Sequence, residues 1–203
     1  MSAFTAIHGD VPRGNAQVSA ACEDNPWLRG YVVIDPTDLR QAESELDRWL
    51  DGERFVGVKI HPTYAGVPIA SSAMRAALTL VADRGTVALV HTWGTDVADL
   101  AELVATTSGL RAIAGHMGAD RWDLAAECAS QVDRLYLEPS CAVALHGQMR
   151  HVVDHAPLDQ LLFGTDAPLL DPCVAFGQLA AADLTAEQLQ AICWTNAAAL
   201  FEL

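Results

Sequence analysis

Basic residues are scarce in this sequence. It contains 12 Lys and Arg against 26 Asp and Glu, which gives a formal net charge of −14. Nucleic-acid binding needs a basic surface, and an anionic membrane surface repels a protein of this charge. We therefore expect neither nucleic acid nor a membrane among its partners, and we attribute the acidic balance to solubility.

Long apolar runs and paired cysteines are also missing. No uninterrupted apolar run approaches the roughly 18 residues that a membrane span requires. The first ten residues contain no basic segment followed by an apolar one, so we expect no secretory signal. The five cysteines include no Cys-x-x-Cys, which excludes a zinc knuckle and a thioredoxin motif. These features predict a cytoplasmic protein with free thiols, and we expect Cys141 to be a buried structural one.

Apolar runs alternate with amphipathic segments along the rest of the chain. Six short runs predict buried strands at 30–35, 55–60, 86–90, 110–114, 135–137 and 160–164. Amphipathic segments predict helices at 38–50, 71–84, 96–106, 120–130 and 144–155. Residues 1–26 carry loop signals and are expected to be irregular. Two short helices are expected to close the chain, the second capped by Asn196.

This order of elements predicts the fold class. Strands that alternate with helices, without hairpin signals, are typical of a parallel α/β sheet. The spacing of the strands is close to that of a (β/α)₈ TIM barrel, but only about six of the eight βα units are present. The length of 203 residues predicts one domain, 1–203.

Each predicted strand carries a polar residue at or just after its C-terminal end. In chain order these residues are Asp35, His61, His91, His116, Glu138 and Asp166. Because the C-terminal ends of parallel barrel strands form one rim, these side chains are expected to be neighbours. Imidazoles and carboxylates are ligands of divalent metals such as Zn²⁺, which activates water and polarises a carbonyl for hydrolysis. Asp166 is a candidate for ligating the metal, steering the hydroxide or taking its proton.

Most of these residues also have a structural alternative. A lone His after a strand is more often a loop or core residue than a ligand, and only its recurrence favours a site. Asp35-Pro36 and His61-Pro62 are typical of turns, and Glu138-Pro139 suits a turn as well as a substrate contact. Lys59 is expected to point into the barrel or its surroundings just before the rim, where it can pair with a carboxylate or contact an anionic substrate.

One further pair of histidines has metal-binding spacing. His151 and His155 are four residues apart on a predicted helix, which places both imidazoles on one face. The helix lacks the Glu that follows the first His in a zincin. We therefore interpret the pair as surface residues.

Four motifs occur in the order and spacing of a known family. They are Gly-Val-Lys-Ile-His-Pro (57–62), Val-His-Thr-Trp-Gly (90–94), Ala-Gly-His-Met-Gly (114–118) and Phe-Gly-Thr-Asp-Ala-Pro (163–168). The sequence thus resembles the amidohydrolase-related family, the amidohydrolase 2 branch of the amidohydrolase superfamily. Relatives of this branch include the aminocarboxymuconate-semialdehyde decarboxylase type. The resemblance covers nearly the whole chain and implies a (β/α)₈ barrel with a catalytic divalent metal, commonly zinc.

The resemblance also implies roles for single residues. His91 resembles the metal ligand of the fifth strand, and His116 resembles the catalytic His of the sixth. Asp166 resembles the Asp of the eighth strand, which is both a metal ligand and an acid/base. We expect the substrate to contact residues at the neighbouring strand ends, namely Lys59, His61, Trp93 and Glu138.

The sequence departs from the family at its beginning. The first strand of the family ends in His-x-His, which supplies two metal ligands, and no His-x-His occurs here. We therefore expect an N-terminally truncated barrel with an incomplete metal shell. Three explanations are open: a start downstream of the true one, which we favour, missing strands supplied by another chain, or a degenerate barrel. An open sheet edge also predicts association into a homo-oligomer.

Together these observations predict a metal-dependent hydrolase or decarboxylase. Its substrate would be a small carboxylate, amide or ester, attacked by metal-activated water with Asp166 and His116 as acid and base. The alternative is a catalytically inactive, incomplete barrel that serves as a binding or scaffold subunit.

Overall fold

A computed structural model of the protein describes residues 1–50, 53–140 and 145–203. The chain divides into two compact units. The first comprises Met1–His91 and Thr106–Ala112, and the second comprises Thr92–Ala105 and Ile113–Leu203. The single domain expected from the sequence stays a prediction, and Cys141 lies outside the described residues.

The described strands form one five-stranded sheet whose order follows the sequence. They are β1 (Gly30–Val33), β2 (Phe55–Ile60), β3 (Val87–His91), β4 (Arg111–Gly115) and β5 (Leu135–Glu138). β1 pairs with β2, and β2 with β3, in parallel. All five lie within two residues of their predicted bounds, because short apolar runs between breakers are a strong strand signal.

The sixth predicted strand, 160–164, is reduced to a bridge. It pairs with β5 through the parallel bridge between Leu137 and Leu161, and Leu162 N donates to Leu137 O at 2.9 Å. In a parallel ladder, every second residue of a strand donates its N–H to the same neighbour. Two residues after Leu137, just past the end of β5, the next donor position is Pro139, which has no N–H, so the ladder ends there.

Helices separate the strands along the chain. They are α1 (Phe4–Ile7), α2 (Val11–Asp24), α3 (Leu39–Trp49), α4 (Pro62–Ala65), α5 (Ser72–Asp83), α6 (Asp96–Thr106), α7 (Trp122–Gln131), α8 (Gln148–His155), α9 (Pro172–Ala180), α10 (Ala186–Gln190) and α11 (Asn196–Phe201). A 3₁₀ turn (Leu158–Gln160), a π turn (Ala191–Thr195) and an irregular turn at His116–Arg121 complete the elements. Within the ranges that the structure describes, no helix is long and apolar enough to cross a membrane.

The expectation of an irregular segment at 1–26 is wrong, because α1 and α2 occupy most of it. Pro12 stands in the first turn of α2, where a helix loses no internal hydrogen bond to proline. Val11, Val18 and Cys22 are buried. Burial of this apolar face stabilises α2 and outweighs the loop signals of its Pro and Gly residues.

Asn196 does not cap its helix as expected, since the π turn continues into α11. Its side-chain Nδ2 instead donates to the carbonyl oxygens of Leu158 and Leu161, both at 2.7 Å. Buried backbone carbonyls need donors. Asn196 therefore anchors the start of the segment that carries Asp166.

A buried amide joins α2, β1 and α3 in the first unit. Asn15 is fully buried, and its Nδ2 donates to Val33 O at 3.0 Å and to Glu45 Oε2 at 2.8 Å. Its Oδ1 accepts from Val33 N at 2.9 Å. Trp49 Nε1 also donates to Glu45 Oε2, at 2.9 Å. The network satisfies the backbone at the end of β1 and a carboxylate that is costly to bury without donors.

We expect Asn15→Ala to lower the free energy of unfolding by about 3 kcal/mol, because it removes buried partners from Val33 and Glu45. Asn25→Ala is the control. Asn25 accepts from Trp27 N in an exposed turn, and its loss should cost less than about 1 kcal/mol. Urea unfolding followed by circular dichroism measures both values. Equal losses in the two variants would contradict the importance of the buried network.

Candidate active site

Two imidazoles lie side by side in the first unit. His61 follows β2, His91 ends β3, and their rings stack with centroids 3.9 Å apart and planes at 17°. The strand register explains this contact. Ile60 pairs with Val90, and each of them is followed directly by one of the two histidines. The structure thus brings together two of the predicted site residues.

His61 also shapes the turn that follows β2, as its structural alternative expects. Its Nδ1 accepts a hydrogen bond from Tyr64 N at 3.5 Å, and Pro62 begins α4. Lys59, two residues before His61, is only 8% exposed. A lysine buried to this extent is normally paired with an anionic group. Its burial therefore fits both roles predicted for it, a structural pair and an anionic substrate contact.

A small cavity adjoins His61 in the first unit. Its volume is about 110 Å³, and its lining includes His8, Asp35 and Tyr64. The ring of Tyr64 lies 4.5 Å from that of His8 and 4.3 Å from that of His61. Asp35 accepts from Thr37 N at 2.8 Å and from Thr37 Oγ1 at 2.7 Å, which is typical of a turn. Tyr64, which follows His61-Pro62 closely, and His8 are not among the site residues predicted from the sequence.

In the second unit, His116 opens a strained turn. His116, Met117, Gly118 and Ala119 have φ angles of 66°, 38°, 70° and 54°, all in the left-handed region. Non-glycine residues held there cost roughly 1–3 kcal/mol each and persist only where their surroundings enforce the conformation. Such strain is frequent at functional sites, and here it begins at a residue that the sequence predicts to be catalytic.

Thr92 holds this turn in place. Its hydroxyl donates to Gly115 O at 2.8 Å and accepts from Gly118 N at 3.1 Å. Gly118 O accepts from Gly94 N at 3.0 Å, and a Cβ at position 118 would lie 2.9 Å from Gly94 O. Thr92 has no exposed surface, so water does not compete for these bonds. Thr92 stands in the motif at 90–94 but is not among the site residues predicted from the sequence.

Ser140 joins His116 to Glu138. His116 is 8% exposed, and its Nδ1 is hydrogen-bonded to the carbonyl oxygen of Ser140. Glu138 Oε1 accepts from Ser140 N at 2.6 Å, and Glu138 Oε2 accepts from Ser140 Oγ at 2.7 Å. Both oxygens of Glu138 are therefore engaged within the protein. Its predicted contact with substrate stays a prediction, and Ser140 is a further residue that the sequence analysis missed.

Trp93 and Asp166 are the other predicted site residues of the second unit. Trp93 is 46% exposed, and its ring centroid lies 6.4 Å from that of His116. Asp166 is half-buried and has a φ of 52°. Its carbonyl oxygen accepts from Leu170 N at 3.1 Å. The structure thus places an accessible aromatic ring near His116 and a second left-handed residue at Asp166.

The donor types of the predicted site suit a divalent metal, because imidazole nitrogen and carboxylate oxygen bind such ions. However, among residues 1–50, 53–140 and 145–203, no three His, Cys, Asp or Glu side chains form a group that could hold a metal ion. His91 belongs to the first unit, whereas His116 and Asp166 belong to the second. Their common cluster therefore stays a prediction.

His151 and His155 stack on one face of α8. Their ring centroids are 3.9 Å apart, and His155 Nδ1 is hydrogen-bonded to His151 O at 2.8 Å. His151 also meets the ring of Trp122 edge-on at 4.9 Å. His155 is exposed, which agrees with the interpretation of the pair as surface residues.

The described cysteines are free thiols: Cys22, Cys128, Cys173 and Cys193. Burial raises the pKa of the Cys128 and Cys193 thiols. The hydrogen bond and negative charge of Asp171 raise the pKa of Cys173. A raised pKa keeps a thiol protonated at neutral pH and makes it a poor nucleophile. These three cysteines are therefore unsuited to nucleophilic catalysis.

Comparison with known proteins places the chain in a family. The model of the family described as Amidohydrolase matches residues 10–203. No curated protein sequence matches the chain significantly. Solved structures, by contrast, match over most of the chain at low sequence identity.

Three of these structures are representative. An uncharacterized TIM-barrel protein from Bordetella bronchiseptica has a TM-score of 0.81 at 17% identity, over 93% of this chain and 72% of its own. The second is a dihydroxybenzoic acid decarboxylase from Polaromonas sp. JS666 with bound manganese and the inhibitor 2-nitroresorcinol. Its TM-score is 0.77 at 16% identity, over 97% of this chain and 76% of its own. A 5-carboxyvanillate decarboxylase from Sphingomonas paucimobilis has a TM-score of 0.75 at 15% identity, over 100% of this chain and 75% of its own. The fold is thus of the predicted TIM-barrel type, and the described residues form part of such a barrel.

We expect Thr92→Val to lower the free energy of unfolding by about 1–3 kcal/mol, because it leaves the buried N–H of Gly118 without its acceptor. Thr92→Ser keeps the hydroxyl and should retain most of the stability. Urea unfolding of the two variants separates loss of the hydrogen bonds from loss of the methyl group. If the Ser variant is the less stable of the two, Thr92 does not hold the turn through its hydroxyl.

We expect Asp171→Asn to accelerate the alkylation of Cys173 by iodoacetamide at pH 8. The Asn side chain can still cap α9 but carries no charge, so the pKa of Cys173 falls and more thiolate is present. Mass spectrometry of the alkylated peptides gives the rate at each cysteine. Cys193 is the internal control, because burial raises its pKa, and its rate should not change. An unchanged rate at Cys173 would contradict the influence of Asp171.

Proposed function

The chain belongs to the amidohydrolase family, and from this premise we propose that it is a metal-dependent hydrolase or decarboxylase of a small carboxylate, amide or ester. One observation carries the proposal. His116 is buried after a strand, in a left-handed turn, with its Nδ1 bonded to a backbone carbonyl. A ring held in this way has its Nδ1 engaged by the backbone, and we assign proton transfer to or from a reacting molecule to Nε2.

The names of similar structures favour one substrate class. Two of them are a dihydroxybenzoic acid decarboxylase and a 5-carboxyvanillate decarboxylase. Among the substrates proposed above, we therefore favour a hydroxylated aromatic carboxylate for this chain. In its decarboxylation the bond from the ring carbon to the carboxyl carbon breaks, CO₂ leaves, and the electron pair on the ring carbon takes up a proton.

We assign the proton transfers to two residues. His116 takes a proton from water through Nε2 in hydrolysis. In decarboxylation, Nε2 first takes up a proton from water and then gives it to the ring carbon. Asp166 is the second acid/base and, with His91, would hold a divalent metal, zinc or manganese. When bound, such a metal polarises a carbonyl or carboxylate and lowers the pKa of its water.

Other residues would bind the substrate. Lys59 and His61 would pair with its carboxylate, since both carry or can carry positive charge at the end of β2. Trp93 would stack on an aromatic ring through its exposed face. We further propose a cytoplasmic location and assembly into a homo-oligomer, as the sequence suggests.

A non-catalytic barrel that serves as a binding or scaffold subunit is the second candidate. One observation favours it. No three metal-ligating side chains are grouped in the part of the chain that the structure describes. Metal content and turnover of the purified protein distinguish this candidate from an enzyme.

We expect the protein to decarboxylate 2,6-dihydroxybenzoate or 5-carboxyvanillate, or to hydrolyse a member of a panel of small amides and esters. A chelator should abolish turnover, and Mn²⁺ or Zn²⁺ should restore it. Asp166→Asn should lower kcat/KM by about 100-fold or more. Chromatography of substrate and product gives the rates.

Asp159→Asn is the matched control. Asp159 is an exposed carboxylate in the turn before the Asp166 segment, so its loss should leave kcat/KM unchanged. Wild-type activity in Asp166→Asn would contradict the role of Asp166. Absence of both bound metal and turnover on every substrate would favour the non-catalytic candidate.

A further inference from the structure

We propose that Glu138 and Ser140 act as a latch, defined by these two residues, that fixes the ring orientation and the tautomer of His116. They would be positioning residues, which act on the reaction through His116. The inference rests on the proposed function for its catalytic meaning. Its structural content, the state of the imidazole ring, can be measured without any substrate.

The first step concerns the proton on the ring. The Nδ1 of His116 is bonded to the carbonyl oxygen of Ser140. A carbonyl oxygen can only accept, so a hydrogen bond at this contact requires the hydrogen on Nδ1. The Ser140 hydroxyl, 3.4 Å from Nδ1, donates its own hydrogen to Glu138. In a neutral imidazole the other nitrogen, Nε2, then keeps its lone pair. The contact with Ser140 therefore selects the tautomer in which Nε2 can accept a proton.

The second step concerns what holds the carbonyl. Ser140 is 3% exposed, and both its backbone N–H and its hydroxyl donate to the carboxylate of Glu138, at 2.6 Å and 2.7 Å. A carboxylate accepts stronger hydrogen bonds than a neutral group does. Two such bonds from one residue restrict its rotation. They hold Ser140 so that its carbonyl oxygen remains hydrogen-bonded to Nδ1 of His116.

The third step explains a glycine in the Phe-Gly-Thr-Asp motif. A Cβ at Gly164 would lie 2.0 Å from Glu138 Oε1 and 2.4 Å from its Cδ. Any larger residue would therefore displace the carboxylate. Gly164 makes room for the latch, which ties the segment before Asp166 to the segment that positions His116.

The latch also accounts better for Glu138 than a direct substrate contact does. Both carboxylate oxygens already accept hydrogen bonds from Ser140. A substrate donor would have to share or replace these bonds. Removing Glu138 should therefore alter mainly the orientation and tautomer of the His116 ring. Its effect on substrate binding should be smaller.

The test is long-range ¹H–¹⁵N NMR of the imidazole nitrogens in the ¹⁵N-labelled protein. Loss of one ring system in His116→Gln assigns the signals. We expect a pyrrole-type shift at Nδ1 and a pyridine-type shift at Nε2 in the wild type. Glu138→Ala should produce a mixture of the two tautomers, and Glu127→Ala, which removes an exposed carboxylate of α7, should not.

A second variant keeps the test valid if Glu138→Ala does not fold. Gly164→Ala leaves the carboxylate in the protein but displaces it, and should shift the same signals in the same direction. Gly177→Ala is its control, because a Cβ there meets no atom within 4 Å. With an active substrate, both latch variants should lower kcat by about 10- to 100-fold and change KM little.

Two results would overturn the proposal: an Nε2–H tautomer of His116 in the wild type, or wild-type imidazole signals in both Glu138→Ala and Gly164→Ala. A loss confined to KM would likewise favour Glu138 as a substrate contact. The expected tautomer without turnover on any substrate would contradict the proposed function but leave the latch intact. Turnover in the wild type, together with wild-type imidazole signals in both variants, would support the proposed function and contradict the latch.

Discussion

Parallel pairing in register is the constraint on which the candidate site depends. Val33 pairs with Lys59, and Ile60 pairs with Val90. The residues that directly follow a paired position lie side by side at the ends of the two strands. For this reason His61 stacks on His91. A shift of the register by one residue would turn one imidazole to the other face of the sheet. The chemistry that we propose for this end of the strands thus rests on backbone hydrogen bonds.

The second unit shows how a strained turn is supported. Three of the four consecutive left-handed residues that start at His116 are not glycine and are unfavourable for the backbone. Buried hydrogen bonds from Thr92 to the backbone at Gly115 and Gly118 offset that cost. The contact with Ser140 then occupies one ring nitrogen of His116. The conformation of the turn and the orientation of the imidazole therefore depend on the same small set of buried contacts.

Fold and function rest on different observations in this protein. Structures with 15–17% identity share its fold over 93–100% of the chain, since many sequences can encode the same alternation of strands and helices. The family match places the chain among amidohydrolases. Neither comparison assigns a substrate, and the role proposed for His116 depends on its burial and hydrogen bonding in this chain.

The sequence alone determined the positions of β1 to β5 and the polar residues that follow them, because apolar runs and breakers act over a few neighbouring residues. It could not show that α2 forms, that Pro139 ends the pairing of the sixth segment, or that Ser140 engages both His116 and Glu138. These features depend on burial and on hydrogen bonds between groups that lie far apart in the chain. Only the tertiary structure brings such groups together, and it therefore decided how the predicted residues are held.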